Sequence, residues 1–396
     1  MFKLNFAKPI SRGLIFLLLL VPGIALSQNT ISGKVVSLSG KSAIVGASVF
    51  LNNASAGCIT NNDGSFTMGN VKDGQYDLVI SCIGYEAWQQ KISVYNTRIV
   101  VPTIKLVPKI NVLKEVKILS DKARNRYLNI FLAEFFGLTD YARDCKLLNP
   151  EILDFKYDKE TTMLTASADD FLLIENAALG YKIKYLLQSF MFESRIQRVS
   201  FAGYSVFEPM KGSHSRENRW QKRRVEAYSG SLMHFLRSCR RNLVHEEGFK
   251  VQKVTRILMR PPDSVIFAKL KFYNDQPPEA KGHFDSLQHW QEILQKPKYG
   301  QAIQPDLLKS TDYLKVTNKK GVYALSYPGV LSVKYKKGIK NSIATFQRPF
   351  ALFDDNGILA DSESSKMEGY WGAQRVADML PVDYEIPNLF QVQTAE

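Results

Sequence analysis

The stretch from residue 60 to residue 86, TNNDGSFTMGNVKDGQYDLVISCIGYE, limits the fold more strongly than any other part of the chain. It alternates turn residues with short apolar runs. Asn62-Asp63-Gly64 and Lys72-Asp73-Gly74 are signals for tight hairpins, because Asp and Gly tolerate the left-handed backbone conformations that such turns require. The stretch therefore predicts two hairpin turns and one long core strand.

Residues 30–108 extend this pattern to seven short strands. Alternation with a period of two places Ala47, Val49 and Leu51 on one face of a strand, as expected where one face of a sheet is buried. Many short strands separated by turns are typical of a β-sandwich. We therefore predict an all-β sandwich of seven strands in the N-terminal part of the chain.

Four segments of this region, GKVVS, IVGASVFLNN, GCITNNDGSFTM and GQYDLVISCIGYE, resemble the successive motifs of the carboxypeptidase regulatory-like domain. The resemblance covers residues 28–108 and implies a prealbumin- or immunoglobulin-like sandwich, a carbohydrate-binding-like fold. Such domains accompany zinc carboxypeptidases and precede the plug of TonB-dependent outer-membrane receptors of Bacteroidetes. The resemblance implies an accessory module without catalytic residues of its own, and a fold alone defines no ligand.

The rest of the chain predicts a linker strand over residues 109–120 and an α+β domain over residues 121–396. A helix begins after Ser120, a suitable N-cap, and ends at Gly137. A later helix is split near Ser229-Gly230. A Pro-rich loop follows the strand KVQKVTRIL, and a short helix ended by Pro381 closes the domain.

Several segments of this second region also resemble known protein sequences. CKLLNPEILDFKYD, LLIENAALGYKIKY, AYSGSLMHFLR and GYWGAQRVADMLPVDY are similar to the region that follows the same sandwich in exported Bacteroidetes proteins without an assigned activity. This resemblance implies an architecture and a source, and it implies no chemistry.

The N-terminus has the three parts of a secretory signal peptide, residues 1–27. Lys3, Lys8 and Arg12 precede the apolar run GLIFLLLLVPGIAL, and the small residues before Gln28 predict cleavage after Ser27. An uncleaved anchor is the alternative, but the run is short for a spanning helix, which needs about 20 apolar residues. The predicted location is the periplasm, peripheral to the outer membrane, and secretion is the alternative.

The net charge of +14 falls by three to +11 once the signal peptide is removed, because that segment carries three basic and no acidic residues. In an exported protein this charge points to anionic envelope polymers, lipid head groups or acidic proteins rather than to nucleic acid. Solubility alone is an equally good explanation.

The four cysteines, Cys58, Cys82, Cys145 and Cys239, have no metal-binding spacing. An even number in an exported protein permits disulfides, and a Cys58–Cys82 bridge is one alternative. Cys82 alternates with core positions of its strand, and Cys239 shares a helical stripe with apolar residues. Both are therefore predicted to be small buried groups.

The resemblance to carboxypeptidase accessory domains makes zinc the first chemistry to consider. HSRE, from His214 to Glu217, has the H-x-x-E spacing of a metallocarboxypeptidase, and His283 or His289 is a conceivable third ligand. The motif is short and lies in a polar segment containing Gly and Ser, and neither a second zinc motif nor a G-x-S-x-G nucleophile elbow accompanies it. The sequence therefore predicts no metal, no cofactor and no catalytic residue.

A basic stretch around an aromatic residue is the remaining candidate. RENRWQKRRVEAY occupies residues 216–228. Arginine presents a planar fork that pairs with anionic groups, so this stretch and the following helix are candidates for binding an anionic glycan or a lipid phosphate. The alternative is a solvated helix face that the tryptophan anchors to the sheet. The candidate binding residues are Arg219, Trp220, Lys222, Arg223, Arg224, Arg237 and Arg241.

Together these features favour a non-catalytic exported protein of the cell envelope that acts as a binding or assembly module. Its predicted partner is an envelope protein, an anionic glycan or a lipid head group. The alternative is an enzyme, a metal-dependent carboxypeptidase-like or glycan-processing protein whose site is assembled from residues scattered along the sequence.

Overall fold

The computed structural model describes residues 29–40, 42–109, 119–277, 282–336, 340–361 and 364–387. The predicted cleavage site at Ser27 and Gln28 and most of the predicted linker strand lie outside the described residues. The side chain of His283 also lies outside them, although the residue itself begins a helix.

Residues 29–109 form the sandwich, whose two four-stranded sheets enclose one hydrophobic core. One sheet has the order β4–β1–β7, with β8 also pairing with β1, and the other has the order β3–β2–β5–β6. The strands are β1 (Asn29–Ser37), β2 (Ser48–Leu51), β3 (Gly57–Ile59), β4 (Ser65–Val71), β5 (Gly74–Ser81), β6 (Trp88–Val94), β7 (Arg98–Val100) and β8 (Ile104–Leu106).

The sandwich has eight strands because the seventh predicted strand is interrupted. β7 and β8 both run parallel to β1, and residues 101–103 between them belong to no strand. Pro102 lies in this interruption, where its missing backbone N–H costs the sheet no hydrogen bond.

The two predicted hairpin turns instead connect the two sheets: β4 pairs with β1, whereas β3 before it and β5 after it both pair with β2. The first of these turns is closed by its own side chains. The Asp63 carboxylate accepts hydrogen bonds from the Ser65 N–H at 3.0 Å and from the Ser65 hydroxyl at 2.7 Å. Gly64 has a φ of 78°, and a Cβ there would lie 2.4 Å from the carbonyl oxygen of Val35. Glycine is therefore required at this position both by the backbone conformation and by the close approach of β1.

Residues 119–228 form the middle unit, in which helix α1 packs on a six-stranded sheet. The sheet order is β10–β11–β13–β12–β9, and β14 pairs with the other edge of β13. Its elements are α1 (Asp121–Phe136), β9 (Cys145–Leu147), β10 (Asp154–Asp158), β11 (Met163–Ser167), β12 (Leu172–Asn176), β13 (Tyr181–Glu193), β14 (Arg198–Pro209) and α2 (His214–Tyr228).

Helix α1 confirms the sequence prediction at both ends. The Ser120 hydroxyl accepts a hydrogen bond from the Ala123 N–H at 3.3 Å, and Gly137 follows the last helical residue. Phe131 and Phe135 are fully buried in the core that α1 shares with the sheet. The apolar stripe therefore determines which face of the helix meets the sheet.

Residues 232–373 form the C-terminal unit, which has its own core around α3. Its two sheets have the orders β16–β15–β19–β20–β22 and β17–β18–β21. The elements are α3 (Leu232–Arg241), β15 (Phe249–Leu258), α4 (Asp263–Asn274), α5 (His283–Gln295), β16 (Tyr299–Leu307), α6 (Ser310–Tyr313), β17 (Leu314–Val316), β18 (Val322–Leu325), β19 (Val330–Tyr335), β20 (Lys340–Phe346), β21 (Ala351–Asp354), β22 (Ser365–Gly369) and α7 (Tyr370–Ala373).

Two local predictions after α3 are wrong. The Pro-rich loop after β15 contains α4, whose N-cap is Pro262, because proline is excluded from the interior of a helix and not from its start. The helix predicted before Pro381 is limited to the four residues of α7 and a short 3-10 turn over Val376–Asp378. Among the described helices, none has the length and apolar content needed to cross a membrane.

All four cysteine thiols are unpaired in the structure. Cys239 is fully buried in the core of the C-terminal unit, as its helical stripe predicts, and Cys82 is half-buried at the edge of the sandwich core. Burial raises the pKa of the Cys145 thiol to about 12, so this thiol stays protonated at neutral pH.

The last described segment, residues 381–387, contacts all three units, and we call it the C-terminal tail. Val382 is buried in the sandwich core, and its N–H donates to the carbonyl oxygen of Asn53 at 2.6 Å. Tyr384 belongs to the core of the middle unit. The tail therefore connects cores that are far apart in the sequence.

Candidate functional site

The predicted basic stretch lies on α2, where its side chains divide between solvent and structural partners. Arg219 and Lys222 are exposed. Trp220 is buried, and its indole Nε1 donates a hydrogen bond to the carbonyl oxygen of Ala177 at 2.8 Å. The ring lies so close to Gly180 that a Cβ there would be 2.3 Å away. Trp220 therefore positions α2 on the middle unit.

Arg223 and Arg224 also have partners within the protein. Arg223 forms an ion pair with Asp144 at 2.8 Å. Arg224 donates from Nε to the carbonyl oxygen of Leu179 at 2.7 Å, and its guanidinium carbon lies 4.1 Å from the centre of the Tyr181 ring. Both guanidinium groups are thus used in joining α2 to the sheet.

Arg237 on α3 joins the C-terminal unit to the tail. Its Nε donates to the carbonyl oxygen of Asn356 at 2.8 Å, its Nη1 to that of Tyr384 at 2.8 Å, and its Nη2 to that of Val382 at 2.6 Å. The planar fork of arginine can serve three fixed acceptors at once, which a lysine ammonium group does less specifically.

A cleft of about 640 Å³ opens where the sandwich, α3 and the tail meet, and we call it the junction cleft. Of the predicted binding residues, it brings together Arg237 and Arg241. Further lining residues are Lys72, Asp73 and Tyr76 of the sandwich, His234 and Arg240 of α3, Glu246 and Glu247 after α3, Asp355 and Asn356 after β21, and Val382–Glu385 of the tail.

The junction cleft is mixed in charge, and its acidic lining residues outnumber the basic ones. Most of the cations already have an acidic partner, so the cleft is not a uniform anion site. The internal ion pairs are Arg240–Asp355 at 3.2 Å, Arg241–Glu247 at 2.7 Å and Lys72–Glu385 at 3.4 Å.

A buried polar cluster forms one wall of the cleft. His234 Nδ1 accepts a hydrogen bond from the Gly230 N–H at 3.0 Å, so Nε2 carries the proton of the neutral ring and donates to Glu247 at 3.1 Å. The hydroxyl of the fully buried Ser238 contacts the same carboxylate. The serine contacts the carboxylate and not the imidazole, so the serine–imidazole contact of nucleophilic catalysis is missing from this cluster.

The charge states of this cluster follow from burial and hydrogen bonding. Burial lowers the pKa of His234 below its ordinary value, although the hydrogen bond to Glu247 and the charge of this carboxylate raise it in part. Burial alone would raise the pKa of Glu247, but the hydrogen bonds from His234 and Ser238 and the charge of Arg241 lower it on balance. A neutral imidazole beside an ionised carboxylate is the resulting state at neutral pH.

The turn after β21 connects the cleft to the sandwich. The Tyr95 hydroxyl donates to Asp355 at 2.6 Å, and Asn356 Nδ2 donates to the carbonyl oxygen of Gln75 at 2.6 Å. Burial raises the pKa of the neighbouring Asp354 to about 6. This turn is therefore a polar contact between two units rather than an exposed loop.

A second cavity of about 230 Å³ lies on the other side of the tail. It includes Arg224 in its lining, so a third predicted binding residue lies near the same tail. The residues common to both cavities are Lys72, Asp383, Tyr384 and Glu385. Three of these four belong to the tail, which therefore separates the two cavities.

The residues considered for zinc are placed apart from these cavities. His214 is the exposed first residue of α2, and Glu217 accepts a hydrogen bond from the Gly212 N–H at 3.0 Å, as a residue in the first turn of a helix does. His283 begins α5. Within the described ranges, no group of three or more His, Cys, Asp and Glu side chains is arranged to hold a metal ion.

Sequence reasoning missed the residues that the tail contacts. Lys72 is predicted only as part of a turn signal, and Asp383 and Glu385, which follow the helix end predicted at Pro381, carry no signal of a site. Asp355-Asn356-Gly357 has the composition of a turn, which marks a loop but not what the loop contacts. No local signal indicates that these residues meet, because they come from segments up to about 300 residues apart.

The fold and the cleft define a strand-rich protein with a sandwich followed by α+β units and a polar cleft at their junction. Residues 31–118 match the family model of the CarboxypepD_reg-like domain, and this part of the chain is a domain of that family. The sandwich predicted from the sequence is thereby confirmed. No curated protein sequence matches the chain.

Similar solved structures give little further information. The pilus 2b backbone protein of group B streptococcus is 21% identical over 22% of this chain and 43% of its own, with a TM-score of 0.18. A cohesin–X-dockerin complex from Acetivibrio cellulolyticus is 18% identical over 28% of this chain and 76% of its own, with a TM-score of 0.19. A protein of unknown function from Bacteroides fragilis is 11% identical over 86% of this chain and 93% of its own, with a TM-score of 0.17. Similarities this low carry no argument about function.

Proposed function

We propose that this protein is an exported, non-catalytic binding or assembly component of the cell envelope, and that the junction cleft is its partner-binding site. Its location follows the signal-peptide pattern of residues 1–27, with the periplasm as the expected compartment. The family of the sandwich supports an accessory role, because its resemblance implies a module without catalytic residues.

The contacts of the tail carry the choice of site. Arg237 and Lys72 bind backbone carbonyls of an irregular polypeptide segment, and Lys72 also binds a side-chain carboxylate. Groups that hold main-chain carbonyls and an acidic side chain at once are suited to a polypeptide partner. The cleft beside this segment is large enough to receive further side chains.

The charges of the cleft favour a protein partner over an anionic glycan or a lipid head group. A glycan or phosphate site needs cations that are available to the ligand, whereas Arg240 and Arg241 are engaged with Asp355 and Glu247. A mixed-charge cleft matches the mixed charges of a protein surface.

Site-specific photo-crosslinking in envelope preparations tests this proposal. A photoreactive residue replaces Glu246, which lines the cleft and is exposed, and the matched control carries it at Glu160, which is also exposed and lies on the turn between β10 and β11. We expect one dominant protein adduct from position 246 that is absent from position 160. Equal labelling from both positions, or adducts only with glycan or lipid, would contradict the proposal.

Export is tested separately. N-terminal sequencing of the mature protein from the periplasmic fraction should begin at Gln28. A protein that retains residues 1–27, or that remains in the cytoplasm, would contradict this part of the proposal and leave the cleft to be judged by the crosslinks.

A further inference from the structure

The C-terminal tail itself resembles a bound peptide. It contains a turn, its Tyr384 N–H donating to the carbonyl oxygen of Pro381 at 2.9 Å, and it otherwise lacks helix and strand. Cavities of about 640 and 230 Å³ lie on its two sides. Without residues 383–385 these two cavities would form one continuous groove from α2 to α3.

The groove holds the tail by complementary charge and by main-chain contacts. Lys72 donates to the carbonyl oxygen of Asp383 at 2.8 Å and forms an ion pair with Glu385 at 3.4 Å. The Asp383 carboxylate accepts a hydrogen bond from the Ser55 N–H at 3.1 Å and also contacts the Ser55 hydroxyl. Arg237 holds two further carbonyls of the tail, so a short acidic segment lies against two cations.

The fit of the tail is incomplete at its centre. Tyr384 is only 8% exposed, and its buried hydroxyl has no hydrogen-bond partner among the described residues. A buried hydroxyl without a partner opposes docking, because it gives up its hydrogen bonds to water. The tail therefore binds its groove less tightly than it would if this hydroxyl had a hydrogen-bond partner or were absent.

We propose that the tail is an intramolecular competitor, and that the groove beneath it binds a partner segment of the same chemistry, an aromatic residue between two carboxylates. This inference rests on the proposed function and names the partner chemistry and the regulation of its site. The attached tail has a high effective concentration, so it occupies the groove by default. A partner segment binds when it makes stronger contacts, or when the tail is weakened.

Once the tail leaves, the groove becomes more basic. Removing Asp383 and Glu385 takes two negative charges away, and Lys72 and Arg237 lose the partners that the tail supplies. Arg224 lines the smaller cavity of the same groove. Any polypeptide can restore the carbonyl contacts, but only carboxylates restore the Lys72–Glu385 ion pair and the hydrogen bond from the Ser55 N–H, which is why the proposal commits to an acidic polypeptide.

A fluorescent peptide with the sequence LPVDYEIP, that of residues 380–387, tests the inference by anisotropy against the full chain. The wild type should bind it weakly. The double variant Asp383→Asn/Glu385→Gln, whose own tail has lost its charges, should bind it at least about tenfold more tightly. The neutral peptide LPVNYQIP is the matched control and should bind neither protein measurably.

A second variant should weaken the binding of the acidic peptide instead of strengthening it. Tyr384→Phe removes the unpartnered hydroxyl, so the attached tail should dock more tightly and the affinity for the acidic peptide should fall about threefold or more below the wild type. Hydrogen exchange at the Val382 amide, which donates to Asn53 in the docked tail, should accelerate when the peptide binds the double variant.

Three outcomes would overturn the inference: equal binding of the two peptides, no tighter binding by the double variant, or peptide binding that leaves the Val382 amide protected. None of these outcomes affects the crosslink from position 246, which tests the cleft itself. Loss of the crosslink together with intact peptide competition would contradict the proposed function alone.

Discussion

The sandwich and the C-terminal unit are both built mainly from antiparallel strands, yet different interactions hold them together. Among the described residues of the sandwich, the buried polar side chains are Asn29, Ser37 and Thr60, all uncharged. The C-terminal unit instead buries His234 against the half-buried carboxylate of Glu247 and places the Arg237 guanidinium among three carbonyls.

This difference has a physical consequence. Apolar packing is non-directional and depends mainly on the area removed from water, so it tolerates changes in pH and small shifts of geometry. Buried polar groups stabilise a structure only when every partner is in place. We therefore expect the sandwich to respond to changes in volume and backbone, and the C-terminal unit to respond to the loss of single partners and to pH.

The largest loss of stability is expected for an aromatic core residue of the middle unit. It is the reference against which the losses in the sandwich and in the C-terminal unit are compared. Phe135→Ala should reduce the free energy of unfolding by about 3–5 kcal/mol, because Phe135 is fully buried between α1 and the middle sheet. Urea unfolding followed by circular dichroism measures the change. Leu138→Ala, at a position 90% exposed, is the control and should change it by less than about 0.5 kcal/mol.

Removing the guanidinium at the unit junction tests the role of polar partners. Arg237→Ala should cost about 3 kcal/mol, because carbonyls of Asn356, Val382 and Tyr384 lose their donors. Urea unfolding measures the change, and proteolysis should detect release of the tail. Arg219→Ala, on an exposed part of α2, is the matched control, and equal losses for both variants would refute the role assigned to Arg237.

A backbone change should affect the sandwich. Gly64→Ala should cost about 2 kcal/mol, because the residue has a φ of 78° and its Cβ would meet the carbonyl oxygen of Val35. Gly69→Ala is the control within β4, where a Cβ has open space. Thermal unfolding of the two variants compares them, and similar melting temperatures would show that the turn does not constrain the sandwich as described.

The smallest expected effect is a pH dependence of the C-terminal unit. Burial makes the folded-state pKa of His234 lower than its ordinary value of 6.5, and Arg237 and Arg241 add to this, while Glu247 opposes it. The folded state therefore favours the neutral ring. Its contribution to stability is fully present above pH 6.5 and is lost as the pH falls from that value towards the lower folded-state pKa.

His234→Gln should remove this part of the pH dependence of unfolding, and Leu138→Ala, an exposed substitution that removes no titratable group, should leave it unchanged. The slope of stability against pH is the readout, so a general loss of stability in the first variant does not obscure the result. An unchanged slope in His234→Gln would show that another group titrates.

The sequence predicted elements well where a local rule was sufficient. Gly64 and Asp63 specify a turn by their own conformational preferences, and Ser120 and Gly137 delimit α1 by their capping chemistry. The split at Ser229-Gly230 between α2 and α3 was predicted for the same reason. The segment of α4 was assigned to a loop because the region around it is rich in proline.

The candidate site was predicted only in part. Arginine-rich helices can be seen in a sequence, and Arg224, Arg237 and Arg241 do lie beside the two cavities. Their partners cannot be seen there. Arg223 forms an ion pair with Asp144, and the carbonyls that Arg237 binds belong to Asn356 and the tail. Only the folded chain decides whether a guanidinium is available to a ligand.

The sequence alone determined the sandwich, its turns and the family of that domain, because conformational preferences of Gly and Asp and the alternation of apolar residues act over a few neighbouring residues. The tertiary structure alone decided that Lys72, Arg237 and the segment around Tyr384 meet at one groove. Such a meeting depends on how three separate cores pack against one another, and no short-range preference of the chain encodes that arrangement.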